Sequence, residues 1–553
     1  MSRRGTRAAQ WTAMLLFGWL ASSSSVAFAQ ERATETPAAS IFDPRALLSA
    51  VDFDLSKAPT GKPPASSVAP AARKHAGRAI LEEGSFILVS AANYWRKYST
   101  FIEDWQFELN WKDQTRKFFN HEGIRLDSNN MRLNWTHSAA GAIYYSFGRS
   151  NGLSAGNSFL FSAVGSFFWE YFAEWREVSS INDHIFTSTG GMAIGEPLFQ
   201  ISRHFRNRPG FGNRVVEFLT NPLVAINDLL DGRKRPARTP ADDWHDFRVS
   251  FGARSGALMD SGSTGTQGSA NLDLQLVALP GYGKAGVDHG YSRDTMDVGA
   301  HADVSTLGSG VEEFNIGTRA TLFGWWKRNV QQDGSQDSQQ RHGYELWYGL
   351  QVAWDVFQKK PIVPYDGHDL GMKMRWFPRD TPTQYTDKLA AVHLPGPTLS
   401  VTRYDGSWRT RLDLSASVDF SMINALAFNA YSANHDIWGV KTTLHNWGFY
   451  YALGPRLAGR IETEYRFLRA TAGIDYRHFS SLQHGDRNQD LLLDDSPLTD
   501  SRLVMSAGLT AALPHSPVFS TVSVERINRF GRFHTTDART SETRVSYLLG
   551  VKF

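Results

Sequence analysis

The feature that most constrains this chain is a two-residue alternation of apolar and polar side chains, which recurs from Trp244 to the last residue. Phe247, Val249, Phe251 and Ala253 alternate with Arg248, Ser250, Gly252 and Arg254, and the pattern returns at 272–278, 296–304, 314–322 and 346–356. It continues at 370–376, 412–420, 457–467, 503–511 and 545–553. Successive side chains of a strand point to opposite faces, so each run predicts a strand with one apolar face. The repetition predicts a mainly β fold of about fourteen strands, twelve to sixteen being allowed by the ambiguous stretch between Asn424 and Trp447.

The opposite faces decide the surroundings. Arg411, Asp413, Ser415, Ser417 and Asp419 share one face, as do Arg460, Glu462, Glu464 and Arg466. A soluble sandwich would turn these rows to water, whereas a membrane barrel would turn them to its lumen. The length of the repetition, an aromatic content of 13% and signs of export favour a transmembrane antiparallel β-barrel, whose sheet must close because lipid offers no hydrogen bonds. Arg3, Arg4 and Arg7 precede an apolar stretch from Met14 to Leu20 and the small-residue pattern Ala27-Phe28-Ala29, which reads as a secretory signal cut before Gln30. That stretch falls short of the ~20 residues of a spanning helix.

The expected organisation is a signal peptide at 1–29, a flexible linker at 30–80, a mainly helical module at 81–240 and an outer-membrane barrel at 241–553. The module is expected in the periplasm or plugging the lumen. One strand is predicted where Trp105, Phe107, Leu109 and Trp111 alternate with polar residues. Between His137 and Arg203 the spacing turns helical, with Gly141, Gly165, Gly190, Gly191 and Gly195 allowing close helix contacts.

The formal charge of +3 disappears without Arg3, Arg4 and Arg7, so nothing points to nucleic acid. The absence of cysteine excludes thiolate metal sites and disulfides. Alternation ending in Phe553 resembles the C-terminal signal of bacterial outer-membrane barrels. This makes their assembly machinery an expected partner, beside outer-membrane lipid and lipopolysaccharide.

The segment from Asn134 to Gly232 resembles an uncharacterised bacterial family, a domain of unknown function whose members join such a segment to an outer-membrane barrel. The residues that carry the resemblance are His137-x3-Gly141, Tyr144-Tyr145, Arg149-x-Asn151, Trp169-Glu170-Tyr171, Glu174, Ser180-x-Asn182-Asp183, Thr189-Gly190-Gly191, Gly195-Glu196 and Asn221-Pro222. Ser138 stands where a proline is expected. The resemblance implies location and architecture and carries no activity.

Within the module His137, Glu170 and Asp183 are the candidate catalytic residues, with Arg149, Glu174 and Glu196 as a surrounding polar cluster. Two carboxylates four residues apart, Glu170 and Glu174, could hold a divalent cation with His137, or repel until one keeps its proton and serves as a general acid. The competing reading is structural, with caps, backbone bonds and pairs to Arg149 or Arg176. Ser180-x-x-Asp183 also fits a capping box. Gly281-x-Gly283-x-x-Gly286 matches a dinucleotide fingerprint but precedes a strand, so it reads as a turn. Asp486, Asn488 and Asp490 resemble the front of a calcium loop without its glycine or closing glutamate. No cofactor beyond calcium is expected. The first expectation is a barrel protein without enzymatic activity whose helices sit at the periplasmic mouth or in the lumen. The alternatives are an envelope enzyme acting on lipid or lipopolysaccharide and a passive channel.

Overall fold

The computed structural model describes residues 74–98, 107–120, 123–126, 134–206, 208–232, 243–258, 264–307, 310–333, 340–359, 387–432, 449–482 and 498–553. The signal and most of the linker, the segment 370–376 and the Asp486–Asn488–Asp490 loop lie outside them. After a two-residue parallel pair of β1 (Ile124–Arg125) and β2 (Ser179–Ser180), the strands are β3 (Trp244–Leu258), β4 (Thr264–Val277), β5 (Gly286–Ser292), β6 (Asp297–Leu307), β7 (Gly310–Gln332) and β8 (Arg341–Lys359). They continue as β9 (Lys388–Gly406), β10 (Trp408–Ile423), β11 (Tyr450–Tyr465), β12 (Leu468–Ser481), β13 (Leu498–Ala512), β14 (Val518–Phe533) and β15 (Thr536–Lys552).

Twelve of these, β3, β4 and β6 to β15, form a closed antiparallel ring, because β15 pairs back onto β3 and β7 pairs onto β8. β5 lies outside the ring against the end of β7. Gly281 to Gly286 is a turn with three left-handed glycines, as the sequence implies. Tight turns at Ser407 and at Arg466 leave from the rim that carries Phe553. The longer connections, through 360–387, 424–449 and 482–497, leave from the opposite rim.

Contacts between strands that are not neighbours identify the lumen. Arg469 on β12 reaches Asp246 on β3 at 2.7 Å, Arg477 on β12 reaches Asp355 on β8 at 2.6 Å, and Arg544 on β15 reaches Glu313 on β7 at 2.5 Å. Only side chains pointing into a ring can meet this way. The charged rows read from sequence, including Arg411, Asp413 and Glu462, therefore face inward, and Leu414, Leu457, Ile474, Val522 and Leu549 face outward and exposed. Among the described residues both ends of the lumen are occupied. A helix at Leu426–Ser432 packs Phe428 against Phe533 and Phe479 at one rim, and the Tyr282 turn packs against Trp347 at the other.

The first helix of the module is α1 (Ala76–Tyr98), which begins inside the stretch read as linker, followed by α2 (Trp111–Phe119). The strand predicted at 105–111 does not form at its described end. Asn110 instead caps α2 by accepting the Asp113 N–H at 2.8 Å. Next come α3 (Trp135–Ser150) and α4 (Ala155–Phe168), which runs on into a π-helical turn at Trp169–Ala173. α5 (Ile181–Ile185) continues through a second π-helical turn, Phe186–Gly190, into α6 (Gly191–Arg206), and α7 (Phe211–Thr220) and α8 (Pro222–Leu230) finish the module.

The position of these helices corrects the expectation of a lumen plug. Tyr145, Phe186, Met192, Ile194, Ile201 and Phe205 share one buried cluster with Val298, Ala320, Val352, Trp354, Val392 and Phe420. Those six strand residues alternate with lumen residues such as Asp297, Arg319, Asp355 and Asp419, so they point outward. The bundle is seated on the outer wall of the barrel. Phe186 meets Phe420 near the rim of the longer connections, and Phe205 stacks on Phe247 at the rim of Phe553. At the rim of Phe553 the module also bonds to Asp294 and Thr295. Glycine packs the bundle itself closely: a Cβ on Gly141 would lie 1.8 Å from the Thr187 carbonyl oxygen, and one on Gly191 2.4 Å from the Gly141 carbonyl carbon, while one on Gly190 would lie 3.3 Å from Val392 on the wall.

Candidate functional site

Three helices deliver the candidate residues to one place. His137 comes from the first turn of α3, Glu170 from the π-helical turn after α4, and Asp183 from α5. Their ligand atoms lie within 4.8 Å of one another, and His137 Nε2 is 3.5 Å from Asp183 Oδ1. Glu170 and Asp183 are buried, while His137 keeps partial access. Each acid precedes or occupies a π-helical turn, whose extra residue re-aims side chains and is frequent at functional sites.

Local bonds fix the acids. Ser180 caps α5 by accepting the Asp183 N–H at 3.1 Å, as the capping motif predicts. The return bond is made by another residue: Glu170 Oε2 accepts the Ser180 N–H at 2.9 Å. Asp183 Oδ1 is left to accept from Asn134 Nδ2 at 2.6 Å and from Asn182 Nδ2 at 3.4 Å. Asn134 is held at φ 50°, left-handed backbone that costs energy in a residue other than glycine and that the Asp183 bond helps to hold.

Around this cluster carboxylates outnumber cations. Lys117, fully buried, spends its donors on the main-chain oxygens of Glu170 and Glu174 at 2.6 and 2.5 Å, where it caps the end of the α4 segment. The Glu170 carboxyl has the Glu174 and Asp183 carboxylates for neighbours and the Ser180 N–H as its hydrogen-bond donor.

The other predicted members go elsewhere. Glu174 sits four residues from Glu170, but the π-helical turn sends it to Trp169, whose Nε1 donates to Oε1 at 2.9 Å. Arg149 pairs with Glu196 at 2.8 Å rather than with the acids of α4. Glu196 also accepts from Tyr145 at 2.6 Å, from Gln200 at 2.5 Å and from Thr295. That second cluster is a balanced fastener between module and barrel. Lys117 and Asn134 were not singled out from sequence, Lys117 because its partners are carbonyls 53 and 57 residues away.

A further group escaped the sequence: His204, Asp243 and His245, whose ligand atoms also lie within 4.8 Å. His204 Nδ1 meets Asp243 at 2.9 Å, and the Arg208 guanidinium stands 3.3 Å from His245 Nε2. A fixed positive charge there opposes a cation, so this group suits a rim ion pair.

The donor set at His137, Glu170 and Asp183, one imidazole and two carboxylates, suits a divalent cation of the manganese, iron, zinc or magnesium type and not a thiophilic one. The surplus of buried carboxyl groups, and ligand atoms within 4.8 Å of one another, close to the span of two bonds of ~2.0–2.3 Å, both fit such an ion.

Comparison with known proteins gives the following. No curated protein matches the chain. Solved structures similar to it include OmpT, an outer membrane protein of Vibrio cholerae, at 8% identity over 56% of this chain and 98% of that one with a TM-score of 0.20. The outer membrane channel DcaP of Acinetobacter baumannii is similar at 10% identity, over 56% and 97% of the two chains, with a TM-score of 0.19. The toluene transporter TodX of Pseudomonas putida is similar at 8% identity, over 56% and 89%, with a TM-score of 0.21. Likenesses of this strength carry no function across. Residues 123–224, which hold His137, Glu170, Asp183 and Glu196, match the family described as Domain of unknown function (DUF3943).

Proposed function

We propose that the chain is an outer-membrane protein whose barrel is a closed scaffold, and whose helical module is an envelope enzyme acting on lipid or lipopolysaccharide through His137, Glu170 and Asp183. The observation that carries this reading is the convergence of one histidine and two buried acids, from three separate helices, within 4.8 Å. Caps and surface pairs scatter, whereas proton transfer and cation binding need convergence. Asp183, Glu170 and His137 would hold the cation, which when bound would polarise an ester or phosphate oxygen and acidify a water. Asn134 holds the Asp183 carboxylate in place, and Lys117 fixes the helix end that presents Glu170. His137, the least buried of the three, marks the side from which a substrate would approach the cation.

Export through the signal at 1–29, residence in a Gram-negative outer membrane and assembly through the strand ending at Phe553 belong to the same proposal. So does calcium at Asp486, Asn488 and Asp490. In support, the cluster lies toward the rim of the longer connections, which in outer-membrane barrels is the extracellular side, where lipopolysaccharide resides. The test is metal content by mass spectrometry of purified protein, with lipid profiles of cells producing wild type, His137→Ala or Asp183→Asn. One bound divalent ion and a wild-type-specific lipid change are expected. Equal metal content and equal lipid profiles in all three would overturn the reading.

A further inference from the structure

The outward faces of the module are built inside out. In the first two turns of α1 the charged residues turn toward the protein: Arg78 Nε donates to Asn151 at 2.6 Å, Glu82 accepts from the Asn151 amide at 2.7 Å, and Glu83 is buried. Ile80, Leu81, Leu88 and Val89 turn outward, with Leu88 72% exposed. Helix α4 repeats the inversion. Ser158, Ser162, Gly165 and Ser166 are buried, whereas Leu160 at 56%, Val164, Phe167 and Phe168 are exposed, and no charged residue occurs from Ser150 to Trp169. In water this arrangement loses on both sides, because hydroxyls and charges are desolvated while hydrocarbon stays wet. Facing hydrocarbon it is favourable.

We infer that the helical module lies within the bilayer beside the barrel, its outer faces on α1 and α4 covered by lipid acyl chains. The inference rests on the barrel spanning a membrane and not on the cation site. The apolar faces continue the bare wall of the same barrel, where Leu414, Leu457 and Ile474 are exposed, Leu457 at 57%. From Ala155 to Ala173 the helix is about 28 Å long at ~1.5 Å per residue, close to the ~30 Å hydrocarbon thickness. Its far end carries the stacked rings of Phe172 and Trp175, as at a membrane interface. At the opposite rim α7 and α8 expose Phe211, Phe218, Leu229 and Leu230 beside Arg206 and Arg208, the composition of interfacial helices. None of the described helices is long and apolar enough to cross a membrane by itself. Against a barrel wall it need not be, since neighbours satisfy its inward polar groups.

The chain has no cysteine, so single-cysteine variants report one position each. Leu88→Cys and Leu160→Cys would be spin-labelled in phosphatidylcholine–phosphatidylglycerol vesicles, with Leu457→Cys as the wall control and Asp405→Cys as the rim control. Accessibility to oxygen and to a water-soluble nickel chelate is read by power saturation, and heat-modifiable gel migration checks that each variant is folded. The oxygen-to-nickel ratio at 88 and 160 is expected to match that at 457 and to exceed that at 405 several-fold. A ratio at 88 and 160 equal to that at 405 would place these faces in water and overturn the inference. Spin–spin broadening at 88 or 160 would also overturn it, by showing that a second copy covers the face.

Discussion

Two buried polar clusters on one helical bundle behave differently. Around Glu196, one guanidinium and three neutral donors meet a fully buried carboxylate, and the half-exposed Asp294 is the guanidinium's second partner, so the buried charge is paired. Around Glu170 and Asp183, the nearby ammonium is committed to carbonyls and the acids face an imidazole and two amides. The first cluster loses stability if a partner is removed. The second carries surplus negative charge that a cation relieves, and removing one of its acids is mild.

The largest expected effect tests that contrast directly. Arg149→Met strands a buried carboxylate and should cost about 3–5 kcal/mol, read by urea unfolding and by proteolysis of the module. If Asp183→Asn costs as much as Arg149→Met, the two clusters are alike and the contrast fails. Next, Asp183→Asn should weaken divalent-ion binding at least tenfold, about 1.4 kcal/mol in titration calorimetry, with the fold retained.

The smallest effects lie in the barrel. Planar-bilayer recordings should show no steady conductance from wild type, given the Arg–carboxylate pairs across the lumen and the Phe428 helix at one end of it. Asp490→Asn should abolish any calcium protection of its loop from proteolysis while leaving the melting temperature unchanged. A calcium-dependent melting shift in that variant would move the calcium site elsewhere.

Alternation made the barrel legible because an outward residue is apolar whether lipid or another element covers it. For the same reason it could not place the module. Val352, Trp354 and Val356 read like any lipid-facing run, yet helices bury them. The glycines at 141 and 191 announce a close contact, but it is between helices of the bundle and says nothing of the wall. Twelve ring strands fall at the low end of the expected range, partly because the Asn424 region supplies a lumen helix at Leu426–Ser432. Of the site, His137, Glu170 and Asp183 were legible as polar residues among small and apolar neighbours. Lys117 and Asn134 were not, since their roles depend on carbonyls and on a left-handed turn that composition does not reveal.

The seating of the bundle on the outer wall also fixes an order of events. The surface that receives Phe186 and Ile201 is shared among β6 to β10, so it comes into being only once those strands are aligned. Helices that leave the ribosome ahead of every wall strand must therefore wait, apolar side uncovered, for a surface translated after them. The module's inner face therefore gains its partner surface only after those later strands have been made and paired.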